Sequence, residues 1–142
     1  MGVVTNVVVD GLESRLPKVI DARAHGFVDY CQAAFFFGMA WMCRKSEPRV
    51  ALAAAVTGAF ILTEALLTDY PLGVKKTISF EAHGKIDAAI AGSSFLVPRI
   101  FGFSGTPAAK VFQANGFAEG VMVGMTDFDG AGAEKDPMGA EW

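Results

Sequence analysis

Two histidines, each followed four residues later by an aspartate, are the residues of this sequence best suited to chemistry. His25 and Asp29 lie in the segment HGFVD, His83 and Asp87 lie in HGKID, and the chain has no other histidine. Two residues four positions apart share one face of a helix. Imidazole nitrogens and carboxylate oxygens both bind divalent metal ions, so these positions are candidate metal ligands.

The two segments belong to an internal repeat with an offset of 58 residues. At the other end of the repeat, Thr68 and Asp69 match Thr126 and Asp127 without a gap. Matches of Ala and Gly are expected in this composition, whereas matches of His, Asp and Thr-Asp are not. Because internal repeats determine the layout of a fold, this offset is the basis of the predictions below.

Each copy is predicted to form two helices joined by a turn. The apolar runs cover residues 25–43, 49–67, 83–101 and 107–126, and Pro48 and Pro107 lie at the turns between them. The chain accordingly divides into an N-terminal interfacial or partner-binding segment, hairpin repeat 1, a linker, hairpin repeat 2 and an acidic, glycine-rich tail. Their bounds are 1–23, 24–70, 71–82, 83–128 and 129–142.

The composition favours a membrane location. Of the 142 residues, 52% are hydrophobic and 19% are charged, whereas an average soluble domain has about 25% charged residues. The apolar runs approach the roughly 20 residues of a membrane-spanning helix. We therefore predict an all-α fold, an integral membrane four-helix bundle made of two tandem helical hairpins with pseudo-twofold symmetry. The predicted location is multi-pass, in the bacterial inner membrane or an organelle membrane, and a soluble four-helix bundle is the alternative.

The last run is the most polar of the four, so we expect it to face protein. Its glycines Gly116, Gly120 and Gly124 are spaced four residues apart. This spacing predicts close approach of a neighbouring helix.

Two crossings per copy return the chain to its starting side, so both copies should place their polar residues at the same face of the membrane. Glu64 and Glu119 are predicted to lie inside the membrane, where each needs a partner or a proton. The polar residues shared by the two copies are His25, Asp29, Thr68, Asp69, His83, Asp87, Thr126 and Asp127.

Three interpretations of this polar set remain open at the level of sequence. The first is a structural network that satisfies helix ends where water gives way to lipid. The second is a site for a divalent metal or a haem between His25 and His83. The third is transfer of protons or ions, together with Glu64 and Glu119.

No motif in the chain specifies a reaction, and a non-enzymatic role is favoured. Ser93 and Ser94 lie among small residues in mid-helix, and no glycine-rich loop is placed to bind phosphate. The basic residues are scattered and the net charge is −3, so nucleic acid is not an expected partner.

The segments TDYPLG at 68–73, ISFxxHG at 78–84 and IFGFS at 100–104, together with the two HGxxD motifs, resemble those of small, uncharacterised bacterial membrane proteins with a duplicated two-helix unit. These proteins are similar to the SPW-repeat family, whose unit carries Ser-Pro-Trp near the end of its first helix. Here 39–41 read MAW and 97–99 read VPR, so neither copy keeps that signature. The resemblance covers about residues 24–128 and implies an architecture but no activity.

We predict a structural or accessory subunit of a membrane, within a larger membrane protein complex, with the lipid bilayer and other membrane subunits as partners and without a cofactor. The alternative is a small metal- or haem-binding membrane redox protein that uses His25 and His83.

Overall fold

The computed structural model describes residues 16–130, which form five helices and one small parallel sheet. Predictions for residues 1–15 and 131–142, which include most of the N-terminal segment and of the acidic tail, lie outside the described residues. In chain order the elements are α1 (Ala22–Cys43), α2 (Pro48–Leu67), β1 (Thr68–Asp69), β2 (Ile78–Ser79), α3 (Phe80–Ser93), α4 (Val97–Ile100) and α5 (Pro107–Met125).

Side-chain caps determine where the first helix of each repeat begins. The Asp21 carboxylate accepts a hydrogen bond from Ala24 N–H at the start of α1. The Ser79 hydroxyl accepts the equivalent bond from Ala82 N–H at the start of α3. Such caps satisfy a backbone donor that has no partner within the helix. The second helix of each repeat begins with proline, which is tolerated in the first turn because no helical hydrogen bond is lost there.

The helices of each hairpin approach closely at a glycine. A Cβ added at Gly58 would lie 3.2 Å from the carbonyl oxygen of Ala33, and one added at Gly116 would lie 2.6 Å from that of Ala91. Beyond these contacts an apolar core fills the interior, with Phe36 and Phe112 fully buried. The two hairpins therefore use equivalent close contacts, 58 residues apart.

Short parallel pairings join the two repeats at one end of the molecule. In β1 and β2, Thr68 pairs with Ile78. An isolated parallel bridge pairs Thr126 with Ile20, 58 residues away from the first pair in both strands. The carbonyl of Met125 also accepts hydrogen bonds from the N–H groups of Val19 and Ile20. The segment before each repeat is thus held against the end of the other repeat.

The predicted fold class, an all-α integral membrane four-helix bundle, is wrong. The described chain contains five helices rather than four, and it contains a parallel sheet that the all-α prediction excluded. The sheet was not predicted because strands of two residues are too short to show the alternating pattern by which strands are recognised. The predicted linker 71–82 contains β2 and also the first turn of α3.

Multi-pass membrane insertion is not supported either. In the described part of the chain, only α2 is long and apolar enough to cross a membrane by length and composition, with a mean hydropathy of 2.0. The predicted third span, 83–101, is interrupted because α3 ends at Ser93 and Pro98 lies in the separate short helix α4. Proline has no N–H to donate and its ring clashes with the preceding turn, so a helix does not continue through it. With 14 residues, α3 is about 21 Å long, less than the hydrocarbon thickness of a bilayer.

The three spaced glycines of α5 have different surroundings. Gly116 contacts the backbone of α3, and a Cβ at Gly124 would meet Leu16, but a Cβ at Gly120 would meet no atom within 4 Å. The glycines therefore do not form one continuous contact surface.

This difference gives a matched pair of substitutions. We expect Gly116→Ala to lower the free energy of unfolding by about 1–3 kcal/mol, because the added methyl group overlaps a backbone oxygen that cannot move freely. Gly120→Ala should instead be neutral or stabilise by up to about 1 kcal/mol, because alanine favours helix and the site is open. Denaturant unfolding measures both, and equal effects of the two substitutions would contradict the close contact.

Candidate metal centre

Helices α1 and α3 bring the two His-Asp pairs together in the interior. His25 and Asp29 come from α1, and His83 and Asp87 come from α3. All four side chains are buried, with relative exposures of 0% to 4%. One ligand atom from each residue can be chosen so that all four atoms lie within 4.8 Å of one another. Groups this polar are rarely buried together without a compensating partner.

The distances from each imidazole Nε2 to the other groups are close to the edges of a small coordination shell. The two Nε2 atoms are 3.2 Å apart. Asp87 Oδ2 lies 2.9 Å from each Nε2. Asp29 presents Oδ2 at 3.3 Å from His83 Nε2 and Oδ1 at 3.5 Å from His25 Nε2. Bonds of 2.0–2.1 Å in a tetrahedron place neighbouring ligand atoms about 3.3 Å apart, close to the observed separations.

Two threonines determine which nitrogen of each histidine carries a proton. Thr126 Oγ1 lies 2.8 Å from His25 Nδ1 and donates its single hydrogen to the carbonyl of Met122 at 2.7 Å. Because that hydrogen is already used, the hydroxyl oxygen must accept from His25 Nδ1–H. Thr68 forms the same pair of bonds, at 2.8 Å to His83 Nδ1 and 2.8 Å to Glu64 O. In a neutral ring, Nε2 then carries a lone pair directed at the other three residues.

Two imidazole lone pairs and two carboxylates therefore face a common centre. This arrangement is repulsive unless a positive charge lies among the four groups, and burial strengthens the repulsion. Burial alone would lower the pKa of His83, but the hydrogen bonds to Asp29 and Asp87 and their negative charges outweigh it and raise the pKa to about 10. Protons on the histidines and a metal cation are alternative sources of the required charge.

The two aspartates are held differently. Asp29 Oδ2 accepts a hydrogen bond of 3.1 Å from the hydroxyl of Tyr70. The equivalent residue in the second repeat is Phe128, which has no hydroxyl group. Burial would raise the pKa of Asp87, but its hydrogen bonds with His25 and His83 have the larger combined effect and lower it. The two repeats thus supply the same types of ligand atom, but the residues packed around the two aspartates differ.

Aromatic rings enclose the centre. Phe80 and Phe128 pack with their ring centroids 4.8 Å apart, and both pack edge-on against His25 at 5.4 and 5.6 Å. The glycine after each histidine makes room for an aromatic ring. A Cβ at Gly26 would lie 2.7 Å from Tyr70, and one at Gly84 would lie 2.6 Å from Phe128. The glycine of the HGxxD motif therefore has a packing function.

The other predicted polar residues take separate positions. Asp69 is exposed and lies 3.4 Å from Lys76, while Asp127 accepts a hydrogen bond from Gly130 N–H, so neither joins the centre. Glu64 is buried beside it, and its Oε1 lies 3.5 Å from His83 Nδ1 without a hydrogen-bond partner in the described structure. Glu119 is buried against Gln32, on the side of the molecule between α1 and α5.

The contacts that Tyr70, Gly26 and Gly84 make around the four metal-ligand candidates were not predicted from the sequence. The repeat itself carries the signal, because both copies place glycine directly after histidine and an aromatic residue directly after Thr-Asp. An aromatic ring packed on a glycine is one explanation for such paired positions.

The raised pKa of His83 predicts how the stability of the metal-free protein depends on pH. A group whose pKa is higher in the folded state stabilises the fold fully below its unfolded pKa, and this contribution is lost as pH rises through the folded value. In the presence of a chelator, the Tm should therefore fall between about pH 6.5 and 10. The His83→Gln variant should show a smaller fall, and a Tm that stays constant in the unsubstituted protein would contradict the prediction.

Comparison with known proteins found no matching family model, no matching curated protein and no matching solved structure. The resemblance to the SPW-repeat family therefore stays a prediction.

Proposed function

We propose that this protein binds one divalent transition-metal ion, of the zinc type, between its two repeats. The observation that carries the proposal is the convergence of two imidazole Nε2 lone pairs and two carboxylates, all buried, with one ligand atom from each residue within 4.8 Å of the others. A divalent cation would balance the two carboxylate charges. It would also replace the protons that the cluster otherwise needs.

The ligand set favours zinc and chemically similar ions. Imidazole and carboxylate are common zinc ligands, and zinc has no strong geometric preference other than for four-coordinate sites. Four protein ligands with aromatic rings around them make a closed centre, which is typical of structural rather than catalytic zinc sites. We therefore propose that the bound ion links α1 to α3 and stabilises the association of the repeats.

The geometry does not favour haem, the other cofactor considered from the sequence. Two histidines bound to one haem iron lie on opposite faces of the porphyrin, so their nitrogens are separated by about twice a metal–nitrogen bond, roughly 4 Å. Here the two Nε2 atoms are 3.2 Å apart. The Phe80 and Phe128 rings also pack directly against His25, with ring centroids 5.4 and 5.6 Å from that of the imidazole.

Metal analysis and cobalt substitution test the proposal directly. The purified full-length protein should bind one Zn²⁺ per chain, and Co²⁺ in its place should give the intense visible absorption of a tetrahedral site. His25→Ala should abolish both signals. Asp69→Asn is the matched control, because Asp69 belongs to the repeated motif but is exposed and lies outside the cluster. A metal-free protein after incubation with Zn²⁺, or equal loss in the control, would overturn the proposal.

The threonines offer a second, graded test. Thr126→Val removes the acceptor that orients His25, and we expect it to weaken metal binding about 10–100-fold, as is typical for such outer contacts. Thr57→Val is the control, since the Thr57 hydroxyl only donates to the carbonyl of Ala53 within α2. Competition with a chelating dye measures both affinities. Unchanged affinity in Thr126→Val would show that the threonine does not orient the ligand.

We also propose that the protein acts as an accessory subunit at a membrane. This proposal is supported by α2, which is long enough to enter a bilayer, and by large apolar side chains on the surface, such as Phe35, Phe60 and Phe117, which are 52%, 54% and 70% exposed. Exposed apolar surface of this kind is typical of contacts with lipid or with another subunit.

Fractionation of cells that make the protein at native levels tests this location. The protein should stay with the membranes after an alkaline carbonate wash, and after mild detergent extraction it should migrate with other membrane proteins. Recovery as a monomer in the soluble fraction would contradict the proposal, and it would leave the metal proposal unaffected.

A further inference from the structure

A cavity of about 300 Å³ lies between α1 and α5, away from the four metal-ligand candidates. Its walls are mostly apolar and include Val28, Phe35 and Met122, while Gln32 and Glu119 supply polar groups. Small-molecule sites are commonly of this size, with apolar walls and a few polar groups that orient the ligand.

The polar groups in this cavity form a network that leaves hydrogen-bond acceptors free. Gln32 Nε2 donates to Asn115 Oδ1 at 2.9 Å and to Glu119 Oε2 at 2.7 Å, which uses both of its hydrogens. Within residues 16–130, Gln32 Oε1 and the second carboxyl oxygen of Glu119 accept no hydrogen bond, and the buried Asn115 Nδ2 donates none. Two acceptor oxygens on neighbouring side chains are thus available to a ligand that can donate hydrogen bonds.

Among residues 16–130, Glu119 forms no ion pair. Its side chain is only 4% exposed, and its hydrogen-bond partner is the neutral amide of Gln32. Burial first, and then the negative charge of Asp87, raise the pKa of Glu119 to about 8. A buried carboxyl group in such surroundings is stabilised as an anion when a cation binds beside it.

Two of these polar residues have apolar counterparts in the other repeat. At an offset of 58 residues, Gln32, Asn115 and Glu119 correspond to Ile90, Thr57 and Ile61. Ile61 and Ile90 pack in the apolar core of the same protein. Two of the three positions, Gln32 and Glu119, are therefore apolar in the other repeat but belong to a polar network beside a cavity here, which indicates a role specific to this side of the molecule.

We propose that this cavity binds a small primary amine with an apolar body, its ammonium group donating to Glu119 and to Gln32 Oε1. The apolar walls match an organic body, whereas a metal cation would find two oxygens and little else. An anion would meet the Glu119 carboxyl group and the negative Asp87 nearby. The proposal does not depend on whether the His-Asp centre binds metal.

Fluorine NMR with three matched probes tests the chemistry of the ligand. The probes are 2-(4-fluorophenyl)ethylamine, 2-(4-fluorophenyl)ethanol and 4-fluorophenylacetate, which share the ring and differ in the polar group. With the full-length protein, the amine should bind most tightly and the carboxylate most weakly. Equal affinity of the amine and the alcohol, or no binding of the amine at millimolar concentration, would overturn the proposal.

Two variants locate the site. Glu119→Gln keeps the size of the side chain and should weaken amine binding about tenfold or more, as expected for loss of a charged hydrogen bond, while alcohol binding should change little. Ala118→Phe should block all three probes by filling the cavity without altering the polar network. Glu81→Gln, which removes an exposed charge that pairs with Lys85, is the control and should bind the amine normally.

Circular dichroism and the Tm establish that each variant is folded before binding is measured. If Glu119→Gln does not fold, the binding measured with Ala118→Phe decides the test. Unchanged binding of the amine in Ala118→Phe would place it at another site and would refute the proposal.

Discussion

Positive charge at a buried centre is the requirement on which the rest of this structure depends. Two imidazoles and two carboxylates are almost fully removed from water, and they are directed at one another rather than at separate partners. The threonine hydroxyls strengthen this requirement because they occupy Nδ1 of each ring and leave Nε2 directed inward. Because the ligand atoms lie within 4.8 Å of one another, a positive charge placed among them would act on all four groups.

The surrounding fold is organised so that each repeat completes the other. Thr68 of the first repeat holds His83 of the second, and Thr126 of the second holds His25 of the first. The parallel pairings follow the same exchange, from Thr68 to Ile78 and from Thr126 to Ile20. Neither hairpin contains a complete centre. The contacts inside each hairpin, such as that of Gly58 with Ala33, position only half of the ligands.

The repeat offset indicated which residues are equivalent in the two copies, but hydropathy was not sufficient to predict the fold. His25, Asp29, His83 and Asp87 occupy equivalent positions in the two copies, so a twofold arrangement brings them together when these positions lie near the symmetry axis. The offset alone could not separate Thr68 from Asp69. In β1 neighbouring side chains point to opposite faces, so Thr68 is buried and Asp69 is exposed. Apolar content likewise does not show whether a helix continues, and the run through Pro98 was counted as one span although it forms two helices.

The exchange of threonines between the repeats also has a consequence for the order of folding. The two histidine–threonine bonds are equivalent in the finished structure, yet one joins residues 15 apart in the chain and the other joins residues 101 apart. Loop-closure entropy makes the longer connection more costly by about 1.7 kcal/mol. We therefore expect the contact between Thr68 and His83 to form earlier in folding than the contact between Thr126 and His25. The two equivalent bonds of the centre would then form one after the other.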